Sequence, residues 1–239
     1  FNMKVSFIIP NQGRLEMLKA TIASIFALDY QQNELEVIVV SQNEQLSNND
    51  LVTEQPTQLK VILADAAGTI AKSRNIGAKI AQGEYLAFLD ADIELSTNWL
   101  SVMFEQLAYD NNRKLVSAQQ ICHVDATPLE KLRTELSNIA LDVEVAFLPG
   151  RNLFLHRNTF EQVQGFPEHL VTCEDYYFTD RVSQLGTLFY SSAAHYIHLG
   201  EDKSWRQLLN KEIWRGQSNV KSLKGRDFPL REYPSLLVP

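Results

Sequence analysis

Long apolar runs are missing from this chain. The longest, such as Val37–Val40 and Tyr85–Leu89, are far too short to cross a bilayer. No basic segment followed by an apolar stretch opens the sequence, so no secretory leader is expected. Cysteine is scarce: Cys122 and Cys173 are the two present, and they lack C-x-x-C spacing. A disulfide framework and a structural zinc site are therefore not expected, whereas free thiols in a reducing compartment are. Positive charge is in deficit too, with a net charge of −7 and a pI near 5.3. A protein that coats nucleic acid would be basic, so that class is set aside. Internal repeats, low-complexity tracts and Pro/Gly-rich linkers are also lacking. Yet 45% of the residues are apolar and 21% charged, a balance that excludes wholesale disorder. One mixed α/β domain without a clean internal boundary is expected over residues 1–239.

What is present begins with strands. Val5–Pro10 and Glu36–Val40 are short β-branched runs of the kind buried on both faces of a parallel sheet. Between them Leu15, Leu18, Ile22, Ile25 and Phe26 recur at helical intervals. Polar residues 41–58 read as a loop with one short helix. Lys60–Leu63 reads as a strand, Ile70–Gln82 as a helix and Glu84–Leu89 as a strand. Strand–helix–strand alternation over residues 4–90 implies parallel strands with crossover helices. The second half is less regular. Trp99, Met103, Phe104 and Leu107 form a helical stripe, and Leu115–Gln119 reads as a strand. Pro128–Asp142 reads as a helix with Pro128 in its first turn. Leu153–His156 reads as a strand, Asn158–Val163 as a helix capped by Asn158, and Glu174–Leu185 as a helix stopped by Gly186. Thr187–Ser191 and His195–His198 read as separate short strands, and Ser204–Val220 as a last helix. The tail, residues 221–239, ends on apolar Leu236-Leu237-Val238-Pro239, which leaves room for a longer natural chain.

The sharpest chemical feature is Asp90-Ala91-Asp92, directly after the strand EYLAFL. Ligands bind beyond the carboxyl ends of strands in open parallel sheets. On an extended backbone, carboxylates at i and i+2 point to the same side and repel unless a cation joins them. Oxygen ligands favour Mg²⁺ or Mn²⁺, ions that keep positions open for substrate phosphates. The plainer alternative is a helix cap followed by a turn, since Ser96 and Thr97 lie nearby. Glu174-Asp175 opens a helix, where acids also suit the dipole without any catalytic role.

Residues 71–100 resemble the inverting glycosyltransferases of family 2. The family pattern is R-N-x-G opening a helix, then A-x-G-E-Y, an apolar strand and D-x-D. Arg74, Asn75, Gly77, Ala81, Gly83, Glu84, Tyr85, Asp90 and Asp92 match it in order and spacing. Residues 150–186, with Gly165-Phe166 and Glu174-Asp175, resemble the acceptor-side segment of that family. The resemblance implies the GT-A fold: a mainly parallel, Rossmann-like central sheet flanked by helices, with a mixed acceptor-side half. Residues 1–92 would form the nucleotide-sugar half and residues 93–220 the acceptor-side half. It implies transfer of a sugar from a nucleotide-diphospho-sugar to an acceptor hydroxyl. Asp175 would be the general base, with Glu174 beside it. Asp92 and His198 would hold Mn²⁺ or Mg²⁺. Pro10, Asn11, Ser41, Arg74, Asp90 and Asp92 would contact the donor, with Arg74 near the diphosphate. His195 lies three residues from His198, so on an extended strand at most one of them serves.

The pattern departs from the family where the base should sit. Val40 is followed by Ser41-Gln42 in place of acidic residues, and Pro10 by Asn11-Gln12-Gly13. A UDP-sugar is the first expectation, with GDP- and dTDP-sugars as alternatives. The acceptor would be a carbohydrate or a lipid-linked sugar, in polysaccharide or glycolipid synthesis. The expected place is the cytoplasm, at the inner face of a membrane, with residues 221–231 available for peripheral contact. Two other classes stay open. One is a non-catalytic nucleotide-sugar or carbohydrate-binding protein. The other is a sugar nucleotidyltransferase, disfavoured because the loop after the first strand carries only Gly13 and Arg14 for a triphosphate. Trp205 and Trp214 on the last helix are expected to pack against the sheet.

Overall fold

The computed structural model describes residues 4–43, 45–51, 58–201 and 203–216. Every residue of β1 (Val5–Asn11) and β2 (Leu35–Ser41) is buried, as strands covered by helices on both faces must be. β1 lies between β2 and β4 (Tyr85–Leu89), and β3 (Leu59–Leu63) adds outside β2, all parallel. The crossovers are α1 (Leu15–Phe26) and α2 (Ile70–Ile80). Leu18, Ile22 and Ile25 of α1 are fully buried, as their spacing requires. On α2 the buried face is made of small residues, Ala71, Gly77 and Ala78, plus one arginine, Arg74. That face brings Arg74 beneath the rim of the sheet.

The other half of the sheet is mixed. β8 (Asn152–His156) runs antiparallel to β4 and to β6 (Arg113–Ile121), and β6 is parallel to β9 (Thr187–His198). The order is β3-β2-β1-β4-β8-β6-β9-β5, with β7 (Val143–Val145) also on β9. β5 (Ile93–Leu95) pairs Ile93 with His198. One layer packs α1 and α3 (Trp99–Tyr109) over Phe7, Trp99 and Phe154. The opposite layer includes α5 (Arg157–Gln162) and α6 (Glu174–Ser183), with Phe88, Phe160, Phe166 and Phe178 in its core. Phe166 and Phe178 stack with centroids 4.1 Å apart. Each buried phenylalanine contributes about 1.5–3 kcal/mol, so this cluster anchors α6 against the sheet.

Several local expectations are corrected. The helix opening at Pro128, α4, ends at Ser137, and the next residue, Asn138, is held by its side chain to the backbone of Gln120 on β6. The α5 cap is His156, whose side chain accepts from the Asn158 amide, not Asn158 itself. The expected strands 187–191 and 195–198 are one strand, β9. Its pairing with β6 jumps from Ala118↔Ser191 to Gln119↔His195. Asp142 takes the Ser192 amide at 2.8 Å and hydroxyl at 2.5 Å, groups the ladder leaves over. Asp90-Ala91-Asp92 is a turn rather than an extended segment. The last helix, α7 (Trp205–Gly216), leaves Trp205 64% and Trp214 53% exposed, so neither packs into the sheet. Residues 217–220 of that expected helix, and the tail, lie outside the described residues.

Gly83 sits where the chain enters β4. A Cβ there would lie 2.6 Å from the Ser6 amide nitrogen and 2.8 Å from the Val5 carbonyl carbon. Both are backbone atoms of the central strand, which cannot yield. Gly83→Ala is expected to lower unfolding free energy by about 1–3 kcal/mol in a denaturant titration. An unchanged midpoint would show that β1 and the Gly83 segment separate freely.

Candidate active site

β1, β2 and β4 end along one rim, the edge where an open parallel sheet binds ligands. Pro10, Asn11 and Ser41 lie there in register and are buried. Asn11 Nδ2 donates to Ser41 Oγ at 3.3 Å, and Ser41 Oγ also accepts the Asn43 amide at 3.0 Å. The Ser41 hydroxyl is therefore engaged under the rim and presents no free edge to a base. Above it, the Gln12 amide group donates to Gln42 Oε1. Gln42 in turn donates to the carbonyls of Asp65 at 3.0 Å and Gly68 at 2.7 Å. Two glutamines thus link the loops after β1 and β2 to the entry of α2.

Asp90 follows β4 and meets Arg74. The Arg74 guanidinium donates from Nη2 to Asp90 Oδ1 at 3.0 Å and from Nη1 to Glu174 Oε1 at 2.8 Å. Nη2 also reaches the Gly150 carbonyl at 3.2 Å, and the Phe166 ring lies 5.0 Å from the guanidinium carbon. Arg74 is 1% exposed. Arg74, expected beside a diphosphate, lies beneath the rim with Nη1 and Nη2 on protein carboxylates. Asp175 Oδ2 accepts the Gly150 amide at 2.9 Å, and its Oδ1 accepts the Tyr176 amide at 2.8 Å. Burial first, and then the Asp175 carboxylate, push Glu174 up to about 7 against the pull of Arg74.

Asp92 belongs to a second group. Its Oδ2 lies 3.3 Å from His198 Nε2 and 2.9 Å from Arg14 Nη1. The pairing of β5 with β9 sets this up, and the Leu199 amide donates to the Asp92 carbonyl at 2.8 Å. The other imidazole nitrogen, Nδ1, lies 3.0 Å from Glu201 Oε2. Glu201 accepts from Arg133 Nε at 3.0 Å and Gln120 Nε2 at 3.1 Å. Burial alone would raise the Asp92 carboxyl and lower the His198 imidazole. Their mutual hydrogen bond, with Arg14 on Asp92 and Glu201 on His198, reverses both. His195 is not part of this group; its amide donates to Ser96 Oγ at 3.1 Å.

Glu201 and Arg151, whose Nη1 lies 3.3 Å from His198 Nδ1, are residues that sequence reasoning passed over, and Arg14 was weighed there only for a triphosphate. Glu201 stands three positions after His198, a spacing that could have marked it. Arg133 is 68 residues away from Glu201, and nothing local points to it. Among the described residues no group of three or more His, Cys, Asp or Glu side chains could hold a metal. Asp92 and His198 offer two ligands. A cleft of about 670 Å³ lies at the other end of β4, lined by Tyr85, Phe104, Arg113, Lys114, His156 and Asn158. It shares no residue with the acidic rim.

The profile of glycosyl transferase family 2 matches residues 6–169, from β1 through the turn before α6. The chain belongs to glycosyl transferase family 2. Glycosyltransferase AglE of Haloferax volcanii is 22% identical over 223 residues, covering 90% of this chain and 73% of its own. Chondroitin synthase of Escherichia coli is 26% identical over 59% of this chain and 22% of its own. The O-antigen chain rhamnosyltransferase WbaN of Salmonella anatum is 25% identical over 46% of this chain and 38% of its own. Among solved structures, mannosyltransferase PcManGT from Pyrobaculum calidifontis, in complex with GDP-Man and Mn²⁺, superposes with a TM-score of 0.69. It is 17% identical, over 99% of this chain and 69% of that one. S. aureus TarS 1–349 in complex with UDP-GlcNAc superposes with a TM-score of 0.65 at 18% identity, over 98% of this chain and 70% of that one. These likenesses establish the GT-A fold. In this glycosyltransferase Asp90 and the Glu174-Asp175 segment meet at one rim, joined through Arg74.

The raised Glu174 gives a stability test with a defined sign. Unfolded, this carboxyl titrates near 4.5; folded, it titrates near 7. Between those values the folded protein holds a proton that the unfolded chain has lost, so stability falls as pH rises through the window. Between pH 5 and pH 8 the wild type is expected to lose roughly 2–3 kcal/mol relative to Glu174→Gln in denaturant titrations. Parallel pH slopes for the two proteins would refute the assignment.

Proposed function

We propose that this family 2 protein is a metal-dependent inverting glycosyltransferase, moving a sugar from a nucleotide-diphospho-sugar to an acceptor hydroxyl. The observation that carries the reading is the double ion pair of Arg74, which fastens Asp90 on the donor side to Glu174 on the acceptor side. The donor lies across the carboxyl ends of β1, β2 and β4, near Pro10, Asn11 and Asp90. Asp92 and His198 hold Mn²⁺ or Mg²⁺. The fit is chemical: one carboxylate and one imidazole suit Mn²⁺, and a cationic group, Arg14, already sits on Asp92 Oδ2. When bound, such an ion supplies Lewis-acid stabilisation to the departing diphosphate.

Asp175 acts as general base. Its two backbone hydrogen bonds, from Gly150 and Tyr176, hold the carboxylate in place with lone pairs left for an acceptor proton. Glu174, fixed by Arg74, orients Asp175 and limits where an acceptor hydroxyl can sit. Direct displacement at the anomeric carbon inverts it. PcManGT is in complex with GDP-Man and TarS with UDP-GlcNAc, which supports a nucleotide-sugar donor and leaves UDP, GDP and dTDP sugars as candidates. Chondroitin synthase and an O-antigen chain transferase among the relatives support a carbohydrate or lipid-linked acceptor. We place this work in the cytoplasm, where a reduced thiol such as that of Cys122 persists. Among the described residues no helix is long and apolar enough to cross a membrane. The basic and apolar residues proposed for membrane contact lie outside the described part. A non-catalytic binding protein is the second reading, favoured by the self-satisfied Asn11 and Ser41 side chains.

The test pairs donor turnover with donor binding. Asp175→Asn is expected to lower kcat by about 10²–10⁴ while donor affinity stays within a few-fold. Asp92→Asn and His198→Ala are expected to abolish the response of turnover to Mn²⁺. Retention of anomeric configuration, or an Asp175→Asn protein with most of its activity, would sink the mechanism. Donor binding without turnover on any acceptor would favour the second reading.

A further inference from the structure

We propose that Arg14 is a resident counter-ion that gives up Asp92 when a divalent cation arrives and then takes the donor's diphosphate. The inference rests on the metal site of the preceding reading and goes further, because it assigns a role to a loop cation outside that ligand set. Arg14 stands between β1 and α1, at the mouth of the rim, with a left-handed backbone at φ 57°. Its side chain is 62% exposed, yet its Nη1 lies 2.9 Å from Asp92 Oδ2. Asp92 Oδ2 is also the atom that faces His198 Nε2. One oxygen cannot serve the guanidinium and a close-bound ion equally, so the two cations compete for it.

The surroundings are shaped for that contact. A Cβ on Gly200 would lie 2.2 Å from Asp92 Oδ2 and 2.5 Å from Arg14 Nη1, so a side chain there would displace one member of the pair. Arg14 differs in kind from Arg74 and Arg151, the more enclosed cations of the rim. Arg74 is buried and held by three acceptors, Asp90, Glu174 and the Gly150 carbonyl, and cannot leave. Arg14 is held at its exposed tip by one carboxylate. A long side chain, solvated along its length and anchored by a single carboxylate, can swing away more readily than one enclosed by three acceptors. Freed, the guanidinium stays within its own reach of the rim, where its planar fork suits phosphate oxygens. An empty site thus keeps the buried Asp92 charge compensated, and a filled one gains a phosphate-binding arm.

The test uses Mn²⁺ alone and then UDP, GDP and dTDP in turn, on wild type, Arg14→Gln and Arg14→Lys. Free Mn²⁺ is followed by electron paramagnetic resonance and nucleotide binding by calorimetry, with circular dichroism to confirm folding. Arg14→Gln is expected to bind Mn²⁺ about three- to tenfold more tightly without nucleotide, and the preferred nucleoside diphosphate at least tenfold more weakly. Arg14→Lys is expected to lie near wild type in Mn²⁺ affinity and between the other two for nucleotide. If wild type binds Mn²⁺ and Arg14→Gln binds it no more tightly, the exchange is wrong and the metal site stands. If Mn²⁺ tightens but nucleotide affinity is unchanged, the diphosphate role is wrong. If neither protein binds Mn²⁺, the metal reading and the exchange fall together.

Discussion

A buried guanidinium organises this rim. Arg74 comes from a helix whose other inward residues are small, so its side chain reaches beneath the sheet edge instead of into water. There it meets Asp90 from the end of β4 and Glu174 from the start of α6, the latter 100 residues further along the chain. A fully buried cation is tolerable only when carboxylates compensate it, and clustered carboxylates are tolerable only around a cation. Each group is therefore a condition for the other. Remove the guanidinium, and Asp90, Glu174 and Asp175 become like charges in a poorly hydrated space. The end of β4 and the start of α6 are held to one geometry by this mutual dependence.

A second group, along the same rim, is built on different terms. Asp92, His198 and Glu201 form a chain of acceptors and an imidazole, backed by Arg133 and Gln120. The turn at Asp90-Ala91-Asp92 is what separates the two systems. Had the backbone stayed extended, both carboxylates would share one side and one partner. Turned, the first joins the rigid Arg74 cluster and the second faces the histidine brought by β9. Asp90-Ala91-Asp92 is thus a branching point, with one carboxylate on Arg74 and the other on Arg14 and His198.

How far the sequence reached can be judged residue by residue. The parallel half was legible because β1, β2 and β4 are continuous apolar runs and α1 carries its period plainly. The acceptor-side half was harder. β9 crosses Ser192 and Ala193, which read as a break until the Asp142 carboxylate is seen taking the Ser192 groups. β5 is three residues long and exists because His198 and its neighbours lie beside it. Trp205 and Trp214 look like core residues by type, yet both are more than half exposed.

The amino-acid sequence alone determined the family, the parallel half of the sheet and the acidic positions of the rim, because hydrophobic period and local motifs are written along the chain. The partners of those acids were settled only by tertiary structure. That Arg74 is buried between Asp90 and Glu174, that Asp92 meets Arg14, and that Glu201 stands behind His198 all depend on contacts between distant segments. A charged residue reads the same in sequence whether it faces water, a ligand or another charge. Only the fold decides, by bringing the compensating group within hydrogen-bond reach and excluding the water that would otherwise take its place.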